Sequence, residues 1–219
     1  NPLANTDDGS CLVCVGSISG PWTENFDSYT NGDYGPFNGW YNDSLLDAAN
    51  WTCWSFGTGS FQTGPVADVS GSGQYMYTET SGVNNKIANL NSWCVNTTTL
   101  STPSLRWSWM MYGATMGTMS VVVNDTVAWH MDLGQGGGPL AWAEAQIPLP
   151  IGPNVLIQFQ ALTGPSYQSD MAIDEVTVDN GVPAGCTDTL GDNYDANAQV
   201  NDGSCIYTGC TDPLAGNWW

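Results

Sequence analysis

Nearly every side chain in this sequence that can move a proton or hold an ion is a carboxylate. The 219 residues carry 21 Asp plus Glu against two basic side chains, Lys86 and Arg106, and one histidine, His130, for a formal charge of −19. Proton transfer near neutral pH relies most often on histidine. His130 follows Trp129 on the opposite face of its strand, beside Asp132 and without a serine or cysteine nucleophile motif, and reads as a surface residue. Glu24, Glu79, Glu144 and Glu175 would make a glycoside hydrolase only if the fold set two of them at a working separation. Ions and solvation explain the carboxylates better, and no enzyme activity is expected. Acidic groups this crowded repel one another unless cations bridge them, so Ca²⁺ from an extracellular medium is the expected cofactor.

The same arithmetic removes two classes of partner. Two bases cannot neutralise a phosphate backbone, so nucleic acid is excluded, and the negative field would repel an anionic leaflet. No apolar run approaches the ~20 residues of a spanning helix. Charged residues make up 11% of the chain, against roughly 25% in ordinary soluble domains. Solubility therefore rests on Asn, Ser, Thr, Gln and Gly.

Cys11, Cys14, Cys53, Cys94, Cys186, Cys205 and Cys210 sit mostly beside Gly-, Asn- and Asp-rich sequence, which favours disulfides in an oxidising compartment. A four-thiolate zinc site from Cys11, Cys14, Cys205 and Cys210 is the alternative. Sequons at Asn42, Asn50, Asn96 and Asn124 mark candidate glycosylation positions, in a chain so rich in Asn, Ser and Thr that about as many would arise by chance.

The elements that must position these groups are strands. From about Asn25 to Val178 apolar residues recur with a period of two: Leu105, Trp107, Trp109 and Met111 alternate with Arg106, Ser108, Met110 and Tyr112, and Val155, Ile157, Phe159 and Ala161 alternate with Leu156, Gln158, Gln160 and Leu162. Met119–Val123, Asn124-Asp125 and Thr126–Met131 read as a hairpin, with Val127, Trp129 and Met131 on one face. Leu45 to Ala49 would make one helical turn. The expected architecture is all-β, a jelly-roll sandwich over residues 21–180. Trp107, Trp109 and Trp129 share strand faces with apolar residues and are expected in its core, although exposed aromatic rings on a sheet face would suit a carbohydrate.

Beyond Asp179 the composition changes. Residues 185–205 run from Gly185-Cys-Thr-Asp to Asp-Gly-Ser-Cys205 without a core, so their order is expected from a Cys186–Cys205 bridge and from ions held by Asp188, Asp192, Asp195, Asn197 and Asp202. It is not an EF-hand, lacking the glycine and glutamate that such a loop requires. The motif returns in two halves. Residues 209–219 begin Gly-Cys-Thr-Asp and residues 1–20 contain Asp-Gly-Ser-Cys11; joined tail to head they rebuild it, with Cys210 and Cys11 as the bridging pair and Asp212 and Asp8 in the places of Asp188 and Asp202. Copies arranged head to tail would complete each other's motif, as a tandem chain or as subunits linked through Cys210 and Cys11. Such heterologous contacts build filaments, and Trp218 and Trp219 are the expected aromatic anchors of that contact.

The central region resembles a MAM domain. The likeness is carried by Phe26-Asp27-Ser28, Thr63–Gly71 with Tyr75-Met-Tyr77, Ser104–Trp109, Met111-Tyr-Gly113 with Met116-Gly117, Trp142, and Ser169-Asp-Met-Ala-Ile-Asp-Glu-Val176. The resemblance implies a jelly-roll sandwich with a calcium site where Asp27, Asp68 and Asp174 approach each other. The residues themselves support part of this: Asp174 lies among Met171, Ala172, Ile173 and Val176, and a buried carboxylate needs a cation or several donors. The family's usual cysteine placement is not kept, and Cys53 and Cys94, inside the module, join the expected disulfide set. The flanking units resemble thrombospondin type 3-like calcium repeats of secreted bacterial surface proteins. The expected function is an extracellular structural or adhesion module that assembles with copies of itself into a calcium-stabilised filament or surface array, or alternatively a module that binds carbohydrate or protein.

Overall fold

The computed structural model describes residues 14–43, 48–133, 141–182, 184–198, 200–201 and 205–209. Asp8, Cys11, Asp202, Cys210, Asp212, Trp218 and Trp219 lie outside them, as does most of the expected turn at Leu45 to Ala49. Among the described residues every regular element is a strand: β1 (Ser17–Ser19), β2 (Trp22–Glu24), β3 (Trp40–Asn42), β4 (Trp51–Trp54), β5 (Tyr75–Thr78), β6 (Ile87–Ser92), β7 (Cys94–Asn96), β8 (Pro103–Met111), β9 (Thr118–Val123), β10 (Thr126–Asp132), β11 (Ala143–Pro148), β12 (Ile157–Leu162), β13 (Met171–Asn180), β14 (Ala184–Gly185) and β15 (Val200–Asn201). The chain divides into two compact units, one up to Asp179 and one from Asn180.

The first unit is a β-sandwich. One sheet has the order β10-β9-β12-β6-β3, the other β11-β8-β13-β5-β4 with β2 also on β13. The alternating patterns decide which faces meet. Leu105, Trp107, Trp109 and Met111 of β8 and Ile157, Phe159 and Ala161 of β12 are all buried in one core, and Trp107 meets Phe159 edge-on, with ring centroids 5.7 Å apart. Burial of such rings supplies the main favourable term, roughly 25 cal/mol per Å² of apolar area. Trp129 packs edge-on against Trp107 and Trp109, as its strand position predicts.

The hairpin tip forms at Asn124 and Asp125, both with positive φ (46° and 62°), the twist that a two-residue connection requires. Register slips between Val127 and Trp129, so Val127 leaves the face of Trp129 and Met131 and stands exposed, correcting the expectation that all three share one side. Ser108 and Met110, on the alternate face of β8, are buried as well, and Met110 packs with Tyr75, Tyr77, Trp54, Tyr112 and Trp142 in a second aromatic layer.

The cysteines complete the sequence reading and correct it at Cys53. Cys94, whose partner the sequence left open, bonds Cys14, because β1 runs parallel to β7 with Ser17 opposite Cys94, which brings the preceding Cys14 alongside. Residues 14–20 are thereby tied to the first unit, through the bridge and the two-stranded β1-β7 sheet. Cys53 is a free, buried thiol, directed to Gln74 Oε1 at 2.6 Å. The zinc alternative loses two of its thiolates, since Cys14 and Cys205 are both oxidised.

The second unit is held by the Cys186–Cys205 disulfide and by the short parallel pair β14-β15. Gly191 is required there by contact: a Cβ on it would come 2.7 Å from Cys186 Sγ. Tight turns close on Asp188 and Asp195, whose side chains accept from the Leu190 and Asn197 amides.

Candidate functional site

Strand β13 changes partners in its middle. Met171–Ile173 pair with β5 and Val176–Val178 with β2, so Asp174 and Glu175 fall in the gap between the two pairings. Glu175 takes a positive φ of 48°, which redirects the strand there. Two loops enter the gap. One follows β2, where Phe26 has φ 58° and its amide donates to Glu24 Oε1 at 2.8 Å. The other, ahead of β5, carries Asp68 and turns back through Gly71, whose amide donates to the Asp68 carbonyl.

The result is a group of carboxylates: Glu24, Asp27, Asp68, Asp174 and Glu175. Asp27 accepts from the Gln74 amide at 2.7 Å and from Asn25 Nδ2 at 2.9 Å. Asp68 accepts from the Ser70 amide at 2.6 Å, and Asp174, fully buried, from the amides of Glu175 at 2.7 Å and Val69 at 3.4 Å. Gly73 marks where two of them converge, because a Cβ built on it would lie 2.3 Å from Asp27 Oδ1 and 2.7 Å from Asp68 Oδ2. Asp68 also abuts Asp174.

Loss of solvent, followed by the neighbouring Asp68 charge, pushes the Asp174 carboxyl from 3.8 up to about 8. Burial also raises Glu24 and Glu175, each further raised by Asp27. Burial pushes the Cys53 thiol up to about 12, with the charges of Asp33, Asp174, Glu24 and Asp27 adding to it. Arg106 pairs with Asp179 instead of with this cluster.

Of Asp27, Asp68 and Asp174, the three residues singled out from the family likeness, Asp27 and Asp68 thus converge at Gly73 and Asp68 meets Asp174. Among the described residues no three carboxylate, histidine or cysteine side chains close on one point tightly enough to hold a metal by themselves. Calcium, which takes six to eight oxygens and readily accepts backbone carbonyls, is suited to such a half-built shell. Two converging carboxylates, a third beside them held well above its ordinary range, and a glycine that leaves space between them fit a hard cation. Sequence reasoning missed Gly73 and Glu24. The tight Gly71-Ser-Gly73 stretch between Asp68 and Tyr75 was the available signal.

In the second unit the expected ligands are tied elsewhere. Asp188 accepts from Tyr207 Oη at 2.6 Å, Asp192 from the Thr208 amide and hydroxyl, and Asp195 from Asn197, and these donors hold the Asp188 and Asp192 carboxyls below the usual carboxylate range. Asp188, Asp192, Asp195 and Asn197 are each engaged in a local turn or strap rather than aimed at a shared point.

Of the sequons, Asn42 is bound on both sides of its amide: Nδ2 donates to the carbonyls of Tyr34 and Trp51 and Oδ1 accepts from the Trp51 amide. Asn50 and Asn124 are exposed, and Asn96 is half-buried, its Oδ1 accepting from Thr98.

A sandwich of this topology, with its acidic gap and its Cys14–Cys94 staple, is an oxidised all-β module. The description of the MAM domain, meprin/A5/mu, matches residues 25–186, and the chain belongs to that family. The human MAM domain-containing glycosylphosphatidylinositol anchor protein 1 is 32% identical over 166 residues, covering 64% of this chain and 16% of that protein. Thyroid hormone-induced protein B of Xenopus laevis is 33% identical over 133 residues, 57% of this chain and 19% of the relative. The chain thus spans less than a fifth of each of these relatives. Among solved structures, the K2 cleaved adhesin domain of Lys-gingipain superposes with a TM-score of 0.51 at 18% identity, over 72% of this chain and 98% of that one, a likeness of fold.

Proposed function

We propose that this chain is a non-catalytic extracellular recognition module whose sandwich is locked by calcium at the gap in β13. The observation that carries the reading is the convergence of Asp27 and Asp68 on Gly73, with buried Asp174 against Asp68. Asp27, Asp68 and Asp174 would hold the ion, and the ion would supply the positive charge that this acidic chain lacks there. Membership of the MAM family and the fold shared with an adhesin domain support a binding role. A calcium titration followed by thermal unfolding and calorimetry tests it. Saturable binding that raises the melting temperature and disappears in Asp174→Asn is expected, and an indifferent wild type would overturn it.

The second unit favours a further reading, head-to-tail association with copies of the same chain. Its frame, Gly185-Cys-Thr-Asp to Asp-Gly-Ser-Cys205, is closed by a disulfide, and the stretches 209–219 and 1–11 repeat that frame in two halves. The frame's likeness to thrombospondin type 3-like repeats places calcium there too in this reading, and Trp218 and Trp219 at the contact. Peptide mapping of the unreduced protein should yield Cys210 joined to Cys11, and that bond in an isolated single copy would count against pairing between copies. Occupied glycans, where the host adds them, are expected on Asn50 and Asn124 and not on Asn42.

A further inference from the structure

The outer face of the five-stranded sheet is built unlike the rest of the surface. In a chain with 21 acidic residues, its three central strands, β6, β9 and β12, carry no charged side chain at all. Amides and hydroxyls stand there in registered rows. Asn89, Gln160, Ser120 and His130 are successive neighbours across four strands, Asn89 and Ser120 buried, Gln160 half-buried and His130 exposed, and Tyr41, Asn91, Gln158 and Val122, all half-buried, form the next row. Adjacent rows lie two residues, about 7 Å, apart along the strands, and groups within a row about 4.8 Å apart.

The rows are cross-braced. Gln158 Nε2 donates to Asn91 Oδ1 at 2.7 Å, Gln160 Nε2 donates to Asn89 Oδ1 at 3.1 Å, and Ser120 Oγ lies 2.9 Å from His130 Nδ1. Bracing fixes rotamers in advance, so less side-chain entropy is lost when a ligand arrives. It also sorts polarity: once Gln158 has donated to Asn91, its Oε1 stands as an acceptor and Asn91 Nδ2 as a donor. Exposed Ile87 and Leu162 form the row beside that of Asn89, a row that runs on through Thr118 to Asp132 at the β10 edge, and exposed Val127 ends the Val122 row on the same edge strand, giving apolar contact beside the polar rows.

Resting on the recognition-module reading above, we propose that this face binds a neutral polysaccharide laid across β6, β12 and β9. A sugar hydroxyl both donates and accepts, which matches paired amides better than carboxylates or bases would. Sugar rings present C–H faces to Ile87, Leu162 and Val127. The absence of charge on these strands, against −19 for the chain, selects an uncharged ligand over a polyanion. The tryptophans do not provide the platform. Those on the strands of this unit are buried or half-buried, with Trp107 and Trp129 turned inward.

The test is affinity gel electrophoresis of the calcium-loaded protein through gels containing a mannan, a galactan, a xylan or a mixed-linkage glucan, with a polyuronate gel for comparison. At least one neutral polymer should retard the wild type, and Gln158→Ala/Gln160→Ala should bind it about tenfold more weakly, with the protein still folded and its melting temperature lowered by the loss of the two braces. Gln160→Glu, which keeps the shape and adds a charge, gives the same loss if the double variant folds poorly. Failure of every neutral polymer to retard the wild type, preference for the polyuronate, or undiminished retardation of both variants would overturn the proposal. Cell-surface adhesion that survives in both variants would leave the recognition reading standing and remove only this ligand.

Discussion

Replacing Asp174 by asparagine should stabilise the protein without calcium and weaken it with calcium. In the metal-free chain the carboxyl titrates near 8 instead of 3.8. The folded form therefore keeps a proton at pH 7 that the unfolded chain releases. A raised carboxyl contributes stability that is fully present below the unfolded pKa and is lost as pH climbs toward the folded one. From pH 4 to pH 7 this single group removes about 4 kcal/mol. For a unit of this size that corresponds to roughly 10 °C in melting temperature. Asparagine has no proton to release, so the substitution cancels the loss, while its amide still donates toward Asp68.

Calcium reverses the sign, because only the ionised carboxylate serves the ion. The ion must more than offset that loss, which takes over a thousandfold excess over its dissociation constant, where binding adds more than about 4.1 kcal/mol. The assay is thermal unfolding followed by tryptophan fluorescence, between pH 4 and 8, in chelator and in millimolar calcium. In chelator the wild type should melt higher at pH 4.5 than at pH 7, and Asp174→Asn should flatten that slope and exceed the wild type at pH 7. In calcium the order should invert. A residual slope is expected from Asp170, which burial and the Glu79 charge raise to about 6. If Asp174→Asn is the less stable protein in chelator at pH 7, the buried carboxyl is held by its amides and the reasoning is refuted.

Gly73→Ala should keep the fold at lower stability and abolish the calcium-dependent rise in melting temperature, since its methyl would lie 2.3 Å from Asp27 Oδ1; calorimetry without a calcium isotherm is the expected record. Removing the Cys14–Cys94 bridge, which closes 80 residues of chain, should cost about 4 kcal/mol in denaturant melts on the chain-entropy estimate. Cys53, buried and with its thiol pushed up to about 12, should resist a thiol reagent until the sandwich is unfolded.

Much of the sandwich was legible because a strand states its buried face with a period of two, and β8 and β12 do so over nine and six residues. The burial of Met110 was not, because it depends on Trp142 and Tyr75 arriving from distant parts of the chain. Val127 was misplaced because a bulge shifts register without changing the pattern of residue types on either side. The Cys186–Cys205 bridge was legible from its motif, whereas the partner of Cys94 was not: Cys14 reaches it through a parallel pairing 80 residues apart, and nothing local announces it. The carboxylates of the gap were found by family likeness, and only Asp174 announced itself by its apolar neighbours.

The gap in β13 also explains why the acidic residues are gathered there at all. A strand that exchanges β5 for β2 midway leaves two residues without partners on one side, and their backbone groups must be satisfied by other means. The Glu175 amide is taken up by Asp174's own carboxylate, which also accepts from the Val69 amide. The loops at Asn25–Asp27 and Asp68–Gln74 that flank the gap make their turns with Asp and Asn side chains bonded to nearby amides. Each Asp in those turns brings a carboxylate with it, so negative charge accumulates around one polar gap, against buried Asp174. Without an ion, Asp174 relieves that charge by keeping its proton at neutral pH, at the cost in stability worked out above. In the reading proposed above a cation would take the place of that proton without altering the turns, and the element that interrupts the sheet would then couple the sandwich's stability to calcium.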